Sequence, residues 1–399
     1  MRRLAITHRA AAGAPLARDV VGRSGEVLAR AGHVLSVRVV RALQQRGVTT
    51  VYVDDLASVG ILLTSIVPHP AADTLQQLMS ELASRLQVSV ESLASQPTPR
   101  IVEALRNGTS PVAAVRVTAL LADIRAGAAA LARACAEADG ASGYLTDRQP
   151  DDDLVGHSVQ VAALTARIGA AVGLADDDLA AVTYAALLHD LGLIFVPAEI
   201  RGAPERWSIP QRMRFEDHTV LGEALLTVLA RSHAIVPIVA AEHHEAQDGS
   251  GFPRALLGAN RVFRVADRKR EARPIALASE VVAVADRYER LVSPAPSRAG
   301  LSPAEARYEL SSEAGTKLNA EIVARFLDTF PALPLGTEVR VVGGEHDGSR
   351  AIVSQPGRDT RSRPVVRVYA DRMGSTHTPV EVNLDIYRDV NVLLDERAA

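Results

Sequence analysis

Residues 187–192, Leu-Leu-His-Asp-Leu-Gly, most restrict how this chain can fold. They end an apolar stretch of helical character, so an adjacent histidine and aspartate emerge from a face that is otherwise core. Taken alone, the pair could be a satisfied buried contact at a helix end. The distribution of histidines favours a metal site instead, because six of the eleven lie between residues 157 and 244. They are His157, His189, His218, His233, His243 and His244.

Length and composition predict a globular multidomain protein. The chain has 399 residues, of which 47% are hydrophobic and 23% charged, enough for about two or three domains with real cores. A net charge of -3 argues against a nucleic-acid-binding surface. No uncharged apolar stretch of about 18 residues suggests a membrane span. The single Cys135 cannot form an intrachain disulfide, which is consistent with a reducing cytoplasm.

Changes of pattern along the chain predict a multidomain fold that is mainly helical. Residues 1–67 are interpreted as a small α/β module, and residues 68–149 as helices that connect it to the next domain or form the dimerising stalk of a homodimer. Residues 150–331 carry almost only helical signals, including two capping boxes, and predict an all-α domain. Short apolar segments separated by Gly, Pro and Asp predict a small antiparallel β domain over residues 332–399.

Each candidate metal ligand follows or lies within a different apolar helical run. The candidates are His157, His189 with Asp190, His218, His243 with His244, and Asp286. Helical bundles assemble metal sites in their cores in this way. Adjacent helical residues point about 100° apart, so such pairs suit two ions, or one ion and its hydroxide. Imidazole and carboxylate ligands suit iron, manganese or zinc, and two such ions would activate a water for attack on a phosphoryl group.

A second motif carries a family resemblance. Residues 243–253 read His-His-Glu-Ala-Gln-Asp-Gly-Ser-Gly-Phe-Pro, and together with the His-Asp pair they resemble the HD-GYP proteins, whose loop usually reads HHExxDGSGYP. Phe252 replaces the tyrosine of that loop. The resemblance covers about residues 150–330. It implies an all-α HD domain that hydrolyses cyclic di-GMP, to linear pGpG or to GMP, at a centre of two or three iron or manganese ions.

The resemblance also implies roles for individual residues. By motif, the metal-ligand positions are His157, His189, Asp190, His218, His243, His244 and Asp286. Asp190 is the expected carboxylate bridge and, with His189, the expected catalytic pair. Asp153 stands where members with three metals have an additional glutamate ligand. His233 has no counterpart in the motif, and we expect it to be structural.

Two basic positions of the family pattern have changed. Leu193 stands where HDxGK has its lysine, and Ala295 stands at the first basic position of the RPYR/K segment. Arg298 keeps the second basic position and is therefore expected to bind substrate. Charge-assisted contacts to phosphate contribute about 1.5 to 3 kcal/mol each. Losing two of them weakens substrate binding unless another arginine, such as Arg254, substitutes.

The sequence therefore leaves two classes of function open. One is a cytoplasmic metal-dependent phosphodiesterase acting on a cyclic dinucleotide, with the loop residues Gly251, Phe252 and Pro253 next to the substrate. The other is a weakly active or inactive HD-GYP protein that binds metal or nucleotide and signals to a protein partner through the same loop. An HD phosphohydrolase of other nucleotides is disfavoured, because residues 248–253 match the HD-GYP loop.

Overall fold

The chain divides into two compact units, each described by itself below. Residues 1–64, 139–144 and 330–399 form the first unit, and residues 65–138 and 145–329 form the second. The computed structural model describes residues 2–6, 12–21, 26–48, 50–61, 64–65, 69–93, 95–137, 143–144, 154–201, 207–231, 233–263, 273–293, 300–357 and 363–395, and the statements below concern these residues.

The N-terminal part of the first unit contains short strands and one helix. The elements are β1 (Arg2–Ala5), β2 (Val20–Val21), β3 (Val27–Ala29), α1 (Val37–Gln45) and β4 (Thr50–Val53), followed by the two-residue strands β5 (Thr64–Ser65) and β6 (Gly143–Tyr144). Strand β1 pairs antiparallel with β4, and β2 pairs antiparallel with β3. Ser36 caps α1 by accepting a hydrogen bond from the amide of Val39. That residues 1–67 form a module of their own stays a prediction.

The C-terminal part of the first unit is an antiparallel sheet, as the sequence predicts. Its strands are β7 (Glu338–Val342), β8 (Arg350–Gln355), β9 (Val365–Ala370), β10 (Thr376–Asn383) and β11 (Asn391–Leu394), in the order β10-β9-β8-β7-β11. Alternate residues of β7 and β9, such as Val339, Val341, Val366 and Val368, bury one face of the sheet. The other face contributes Ile352 and Tyr369 to an apolar cluster with Ala57 and Ile61.

The second unit is mainly helical over its described residues, which confirms the predicted helical HD-type domain. Its helices are α2 (His69–Glu91), α3 (Thr98–Arg106), α4 (Thr118–Glu137), α5 (Leu154–Ala171), α6 (Asp176–Leu188), α7 (Ala198–Arg201), α8 (Ile209–Leu229), α9 (Ile235–Glu242), α10 (Leu277–Val292), α11 (Pro303–Glu313) and α12 (Ala320–Thr329), with 3-10 turns at Pro111–Ala114 and Leu191–Phe195. Both predicted capping boxes are present, at Ser208 with Gln211 and at Ser302 with Glu305.

The expected connector helices are an integral part of the helical unit. Helix α4 packs against α5 and α6, and α2 packs against α4 and α5. Leu82 and Leu86 of α2 and Ile124 and Leu131 of α4 are fully buried. Over its described residues the segment 68–137 is therefore packed on the other helices of this unit. The exact domain boundaries remain predictions.

Helix α6 and the turn after it are unusually apolar. Among the described residues, Asp176–Phe195 is the one stretch long and apolar enough to cross a membrane by length and composition, and 83% of its apolar window is buried inside the protein. Burial of this degree is expected of a core helix of a bundle.

Candidate metal centre

Five helices of the second unit bring the predicted ligands together. His157 lies in the first turn of α5, His189 and Asp190 follow the end of α6, His218 lies in α8, His243 and His244 follow α9, and Asp286 lies in α10. Their potential ligand atoms form two groups, and within each group the atoms lie within 4.8 Å of one another. One group is Asp190, His218, His243 and His244, and the other is His157, His189, Asp190 and Asp286.

Asp190 belongs to both groups because its two carboxylate oxygens face different sets of imidazoles. Its Oδ1 atom lies 3.2 Å from Nε2 of His218 and 3.3 Å from Nε2 of His243. Its Oδ2 atom lies 3.4 Å from Nε2 of His189 and 3.5 Å from Nε2 of His157. A carboxylate arranged in this way can bridge two cations. The prediction that a bridge would come from Asp190 is therefore compatible with the geometry.

Hydrogen bonds on the far side of each ring orient the imidazoles. The Nδ1 atoms of His189 and His218 lie 2.7 and 2.5 Å from the carbonyl oxygens of Ala186 and Phe215, and Nδ1 of His243 faces the carbonyls of two α9 residues at 3.1 Å. Since a carbonyl only accepts, each Nδ1 carries the hydrogen. In the neutral form of each ring, the Nε2 lone pair then points into the cluster, which is the tautomer that metal ligation requires.

The buried polar atoms of the cluster are poorly satisfied by the protein alone. Nε2 of His189, Oδ1 of Asp190 and Nε2 of His244 have no hydrogen-bond partner among the described residues. Nε2 of His218 and Nε2 of His243 face each other at 3.4 Å. Leaving a buried polar group unpaired costs about 1 to 3 kcal/mol. A divalent cation at each group would satisfy these atoms, so the donor set fits metal ions.

Electrostatics also favour positive charge at this place. Burial disfavours ionisation of Asp190, but the charge of His189 and the three imidazoles that face its carboxylate hold its pKa well below the usual range. Burial likewise lowers the pKa of His189, yet Asp190 and Asp286 outweigh it and raise that pKa to about 10. Burial lowers the pKa of His243 to about 4, which keeps this ring neutral near pH 7. Neutral imidazole is the ligating form.

Two neighbours of Asp286 on α10 belong to the site, although the sequence analysis did not single them out. Glu289 is fully buried, and its Oε2 atom lies 2.6 Å from Nδ1 of His157. Arg290 contacts both aspartates, with Nη2 2.9 Å from Oδ2 of Asp190 and Nε 2.8 Å from Oδ1 of Asp286. The signal was their spacing, because residues three and four positions after Asp286 share its helical face.

The loop of residues 248–253 lies beside the first ligand group. The ring of Phe252 stacks at 4.8 Å on that of His244, with 31° between the planes. Gly251 permits the approach, because a Cβ atom there would lie 2.3 Å from the amide nitrogen of Ala246. Glu245 holds the loop by accepting hydrogen bonds from the amides of Arg254 and Leu256. Phe252 therefore covers one face of the ring of His244, a candidate ligand.

The other predicted site residues lie outside the two ligand groups or outside the described part of the chain. Leu193 is buried in the turn after Asp190 and offers no charge. The guanidinium of Arg254 is paired with Glu223 at 2.6 Å and lies 3.7 Å from Glu242. His233 belongs to neither ligand group and makes an edge contact with the ring of Tyr184. Three residues lie outside the described part of the chain, namely Asp153, Ala295 and Arg298.

Comparison with known proteins agrees with this architecture. Residues 145–263 match the family model of the HD domain, so the helical unit contains an HD domain. A cyclic di-GMP phosphodiesterase of Thermotoga maritima is 29% identical over 209 residues, which are 50% of this chain and 51% of that protein. One from Pseudomonas aeruginosa is 27% identical, over 57% of this chain and 50% of that protein. The HD domain match and these relatives together support the assignment of the helical unit to the HD-GYP family.

Other similarities are more limited. A 3'3'-cGAMP-specific phosphodiesterase of Vibrio cholerae is 29% identical over 37% of this chain and 30% of that protein. The chain spans about half the length of the first two curated relatives. A solved structure of Bd1817, a HDG"Y"P protein from Bdellovibrio bacteriovorus, aligns with a TM-score of 0.43 and 14% identity over 80% of this chain and 97% of that chain.

Proposed function

We propose that this chain is a metal-dependent phosphodiesterase that hydrolyses cyclic di-GMP to linear pGpG or GMP. The observation that carries the proposal is the sharing of Asp190 between two groups of buried ligand atoms. Adjacent cation sites of this kind suit phosphodiester hydrolysis, because the reaction needs both an activated water and stabilisation of a developing negative charge. The names of the relatives support a cyclic dinucleotide as the substrate class.

The proposed ligand assignment follows the two groups. His218, His243 and His244 would hold one divalent ion, while His157, His189 and Asp286 would hold the other, with Asp190 between them. Imidazole and carboxylate donors favour iron or manganese in this proposal. When bound, two such ions would polarise a phosphoryl oxygen and lower the pKa of a water. A third ion at Asp153 stays a prediction.

The residues of the chain would orient the reacting groups and exclude bulk water. His189 and Asp190 are fully buried, so their positions are set by packing and not by solvent. Such rigid placement lowers the reorganisation needed in the transition state. Phe252, half-buried on the ring of His244, would border the substrate together with Gly251 and Pro253. We assign a phosphate contact to Arg298 from the sequence pattern alone.

A second candidate function has its own support. Leu193 provides no charge beside the ligand groups, and Arg254 is paired with Glu223 and so is not a ready replacement for the missing lysine. Both features favour weak phosphate binding. A protein of this kind would bind metal or nucleotide with little turnover and signal through a protein partner at the loop of residues 251–253.

We further propose a cytoplasmic location, in keeping with a cyclic dinucleotide substrate and with a sequence that contains a single cysteine. A homodimer is the proposed assembly. Size-exclusion chromatography with light scattering of the full chain would test the oligomeric state, and a monomer at all concentrations would contradict it.

The enzyme proposal is tested by anaerobic turnover of cyclic di-GMP by the full chain reconstituted with iron or manganese. Metal content is measured on the same sample. We expect turnover in the wild type and its loss, with reduced metal content, in Asp190→Asn. Asp178→Asn is the matched control, because this exposed residue lies in the first turn of the helix that ends just before Asp190.

The outcomes separate the two candidate functions. A fully metallated wild type without turnover would support the binding function and contradict the enzyme. Unchanged metal content in Asp190→Asn would remove the bridging role of Asp190. Turnover of 3'3'-cGAMP but not of cyclic di-GMP would keep the reaction class and change the substrate.

A further inference from the structure

We propose that the guanidinium of Arg290 competes with a metal ion for the ligand group that contains Asp286, so that the two groups differ in metal affinity. This inference rests on the proposed metal centre. It assigns to Arg290 a role in deciding which ion is bound first and how tightly the second is held.

The position of Arg290 in the fold carries the first step of the argument. Arg290 follows Asp286 by one turn of α10, and the two side chains pair across that turn. Nε of Arg290 donates to both carboxylate oxygens of Asp286, at 2.8 and 3.0 Å. Nη2 donates to Oδ2 of Asp190 at 2.9 Å. One guanidinium thus connects the two aspartates.

The second step is that these contacts fall on the metal-facing atoms themselves. Oδ2 of Asp190 and Oδ1 of Asp286 are the oxygens nearest to the imidazoles of the second group. The Nη2 atom of Arg290 also lies 3.4 Å from Nε2 of His157. The guanidinium is therefore next to three of the four ligands in this group. In the first group, Oδ1 of Asp190 faces His218 and His243 instead.

The third step concerns the energy of adding a second cation. Charge-assisted hydrogen bonds are roughly twice as strong as neutral ones, and the planar guanidinium fixes the directions of its N–H donors. A metal ion entering the second group must displace these bonds or remain beside a positive charge where the dielectric constant is low. Both routes weaken binding at this group. A metal ion in the first group displaces no hydrogen bond of Arg290, because Arg290 contacts Oδ2 of Asp190 and not the Oδ1 atom of that group.

The exposure of the two side chains shows whether Arg290 or Asp190 can move when a metal ion binds. The side chain of Arg290 is 36% exposed, whereas that of Asp190 is 1% exposed. Part of the Arg290 side chain therefore already faces solvent, which gives this side chain a route away from the buried carboxylates. Binding of the second ion would then require displacement of Arg290, and the metal-free protein would retain a compensating cation between its two buried aspartates.

The test is an anaerobic Mn²⁺ titration of the full chain, with bound metal counted and the electron paramagnetic resonance signal of coupled manganese ions recorded. We expect one tight site in the wild type and a second site at least about tenfold weaker, given the size of nearby charge effects. In Arg290→Met, which keeps the length and removes the charge, the second site should tighten by at least about tenfold. The first site should change much less.

Two further variants sharpen the result. Arg287→Met is the matched control, because Arg287 lies on the same helix but pairs with Glu313, at 2.9 Å from Nε to Oε2. We expect its titration to equal that of the wild type. Arg290→Lys keeps the charge without the planar guanidinium that reaches both aspartates, and it should leave the second site weaker than in Arg290→Met.

The outcomes separate failure of the proposed role of Arg290 from failure of the proposed metal centre. Two equal manganese sites in the wild type would overturn the inference and leave the proposed metal centre intact. Absence of bound manganese from both the wild type and Arg290→Met would instead contradict the metal centre itself. If Arg290→Met does not fold, the wild-type titration still decides, because the inference requires unequal sites.

Discussion

His157 lies 2.6 Å from Glu289, with the Nδ1 hydrogen of the ring directed at Oε2 of the carboxylate. Glu289 is fully buried, and its other oxygen accepts a hydrogen bond from the hydroxyl of Ser293 at 2.7 Å. A carboxylate behind an imidazole orients the ring and increases its basicity towards a metal. Glu289 is therefore a positioning residue for His157.

The Glu289→Gln substitution should weaken metal binding while preserving the fold. Glutamine still accepts a hydrogen bond from the ring but carries no charge, so we expect about 10- to 100-fold lower metal affinity. The measurement is a Mn²⁺ titration, with circular dichroism to verify folding. Ser293→Ala, which removes only the support of the carboxylate, should have a smaller effect. Wild-type affinity in Glu289→Gln would show that this contact is only structural.

Gly192 should not tolerate a side chain. A Cβ atom at this position would lie 2.0 Å from the carbonyl oxygen of His218, because the turn after Asp190 packs directly on α8. The backbone of the turn or of α8 must move to relieve this overlap. Gly192→Ala should therefore reduce the free energy of unfolding by about 3 kcal/mol or more, at or above the upper end of the usual cost of overpacking. Urea denaturation measures this change.

Gly222, on the other side of the same contact, provides the control for Gly192. A Cβ atom there would lie 3.4 Å or more from its neighbours, an ordinary contact. Because alanine restricts the unfolded chain, Gly222→Ala should be neutral or raise the free energy of unfolding by about 0.4 to 1 kcal/mol. Equal destabilisation by both substitutions would contradict the asymmetry of this contact.

The loop of residues 248–253 should keep its anchoring in mild acid. Ser250, through its hydroxyl and its amide, and then Lys317 lower the pKa of Asp248 to about 2. A lowered carboxyl pKa contributes stability above the pKa of the unfolded chain, and this contribution is lost as pH falls through the folded value. The Asp248 contacts should thus persist at pH 4 and disappear near pH 2.

Carbon-13 NMR titration of the Asp248 carboxyl group measures this behaviour. Because the Ser250 side chain makes the largest contribution, Ser250→Ala should raise the pKa more than Lys317→Met does. Ser250→Ala retains the amide donor, so part of the shift should remain. If the pKa of Asp248 rises more in Lys317→Met than in Ser250→Ala, then the charge of the lysine, and not the hydrogen bonds from Ser250, is the main cause of the low pKa.

Much of the helical unit could be predicted from local pattern. Capping boxes at Ser208 and Ser302 mark helix starts because the hydrogen bonds that define them lie within four consecutive residues. The C-terminal strands follow from period-two alternation, although β11 was not predicted. Its pairing with β7 joins residues about fifty positions apart, and no local pattern encodes such a partner.

From the sequence, the HD domain could be predicted through a resemblance to the HD-GYP proteins, because the His-Asp pair and the motif of residues 243–253 occur in the order typical of that family. The sequence also identified the seven candidate ligands, because histidine and aspartate in apolar helical runs are chemically conspicuous. Their division into two groups about Asp190, and the contacts that Glu289 and Arg290 make with them, could not be predicted from the sequence. Those relationships depend on how α5 and α10 pack, since contacts between helices arise from packing of whole faces and not from neighbouring residues.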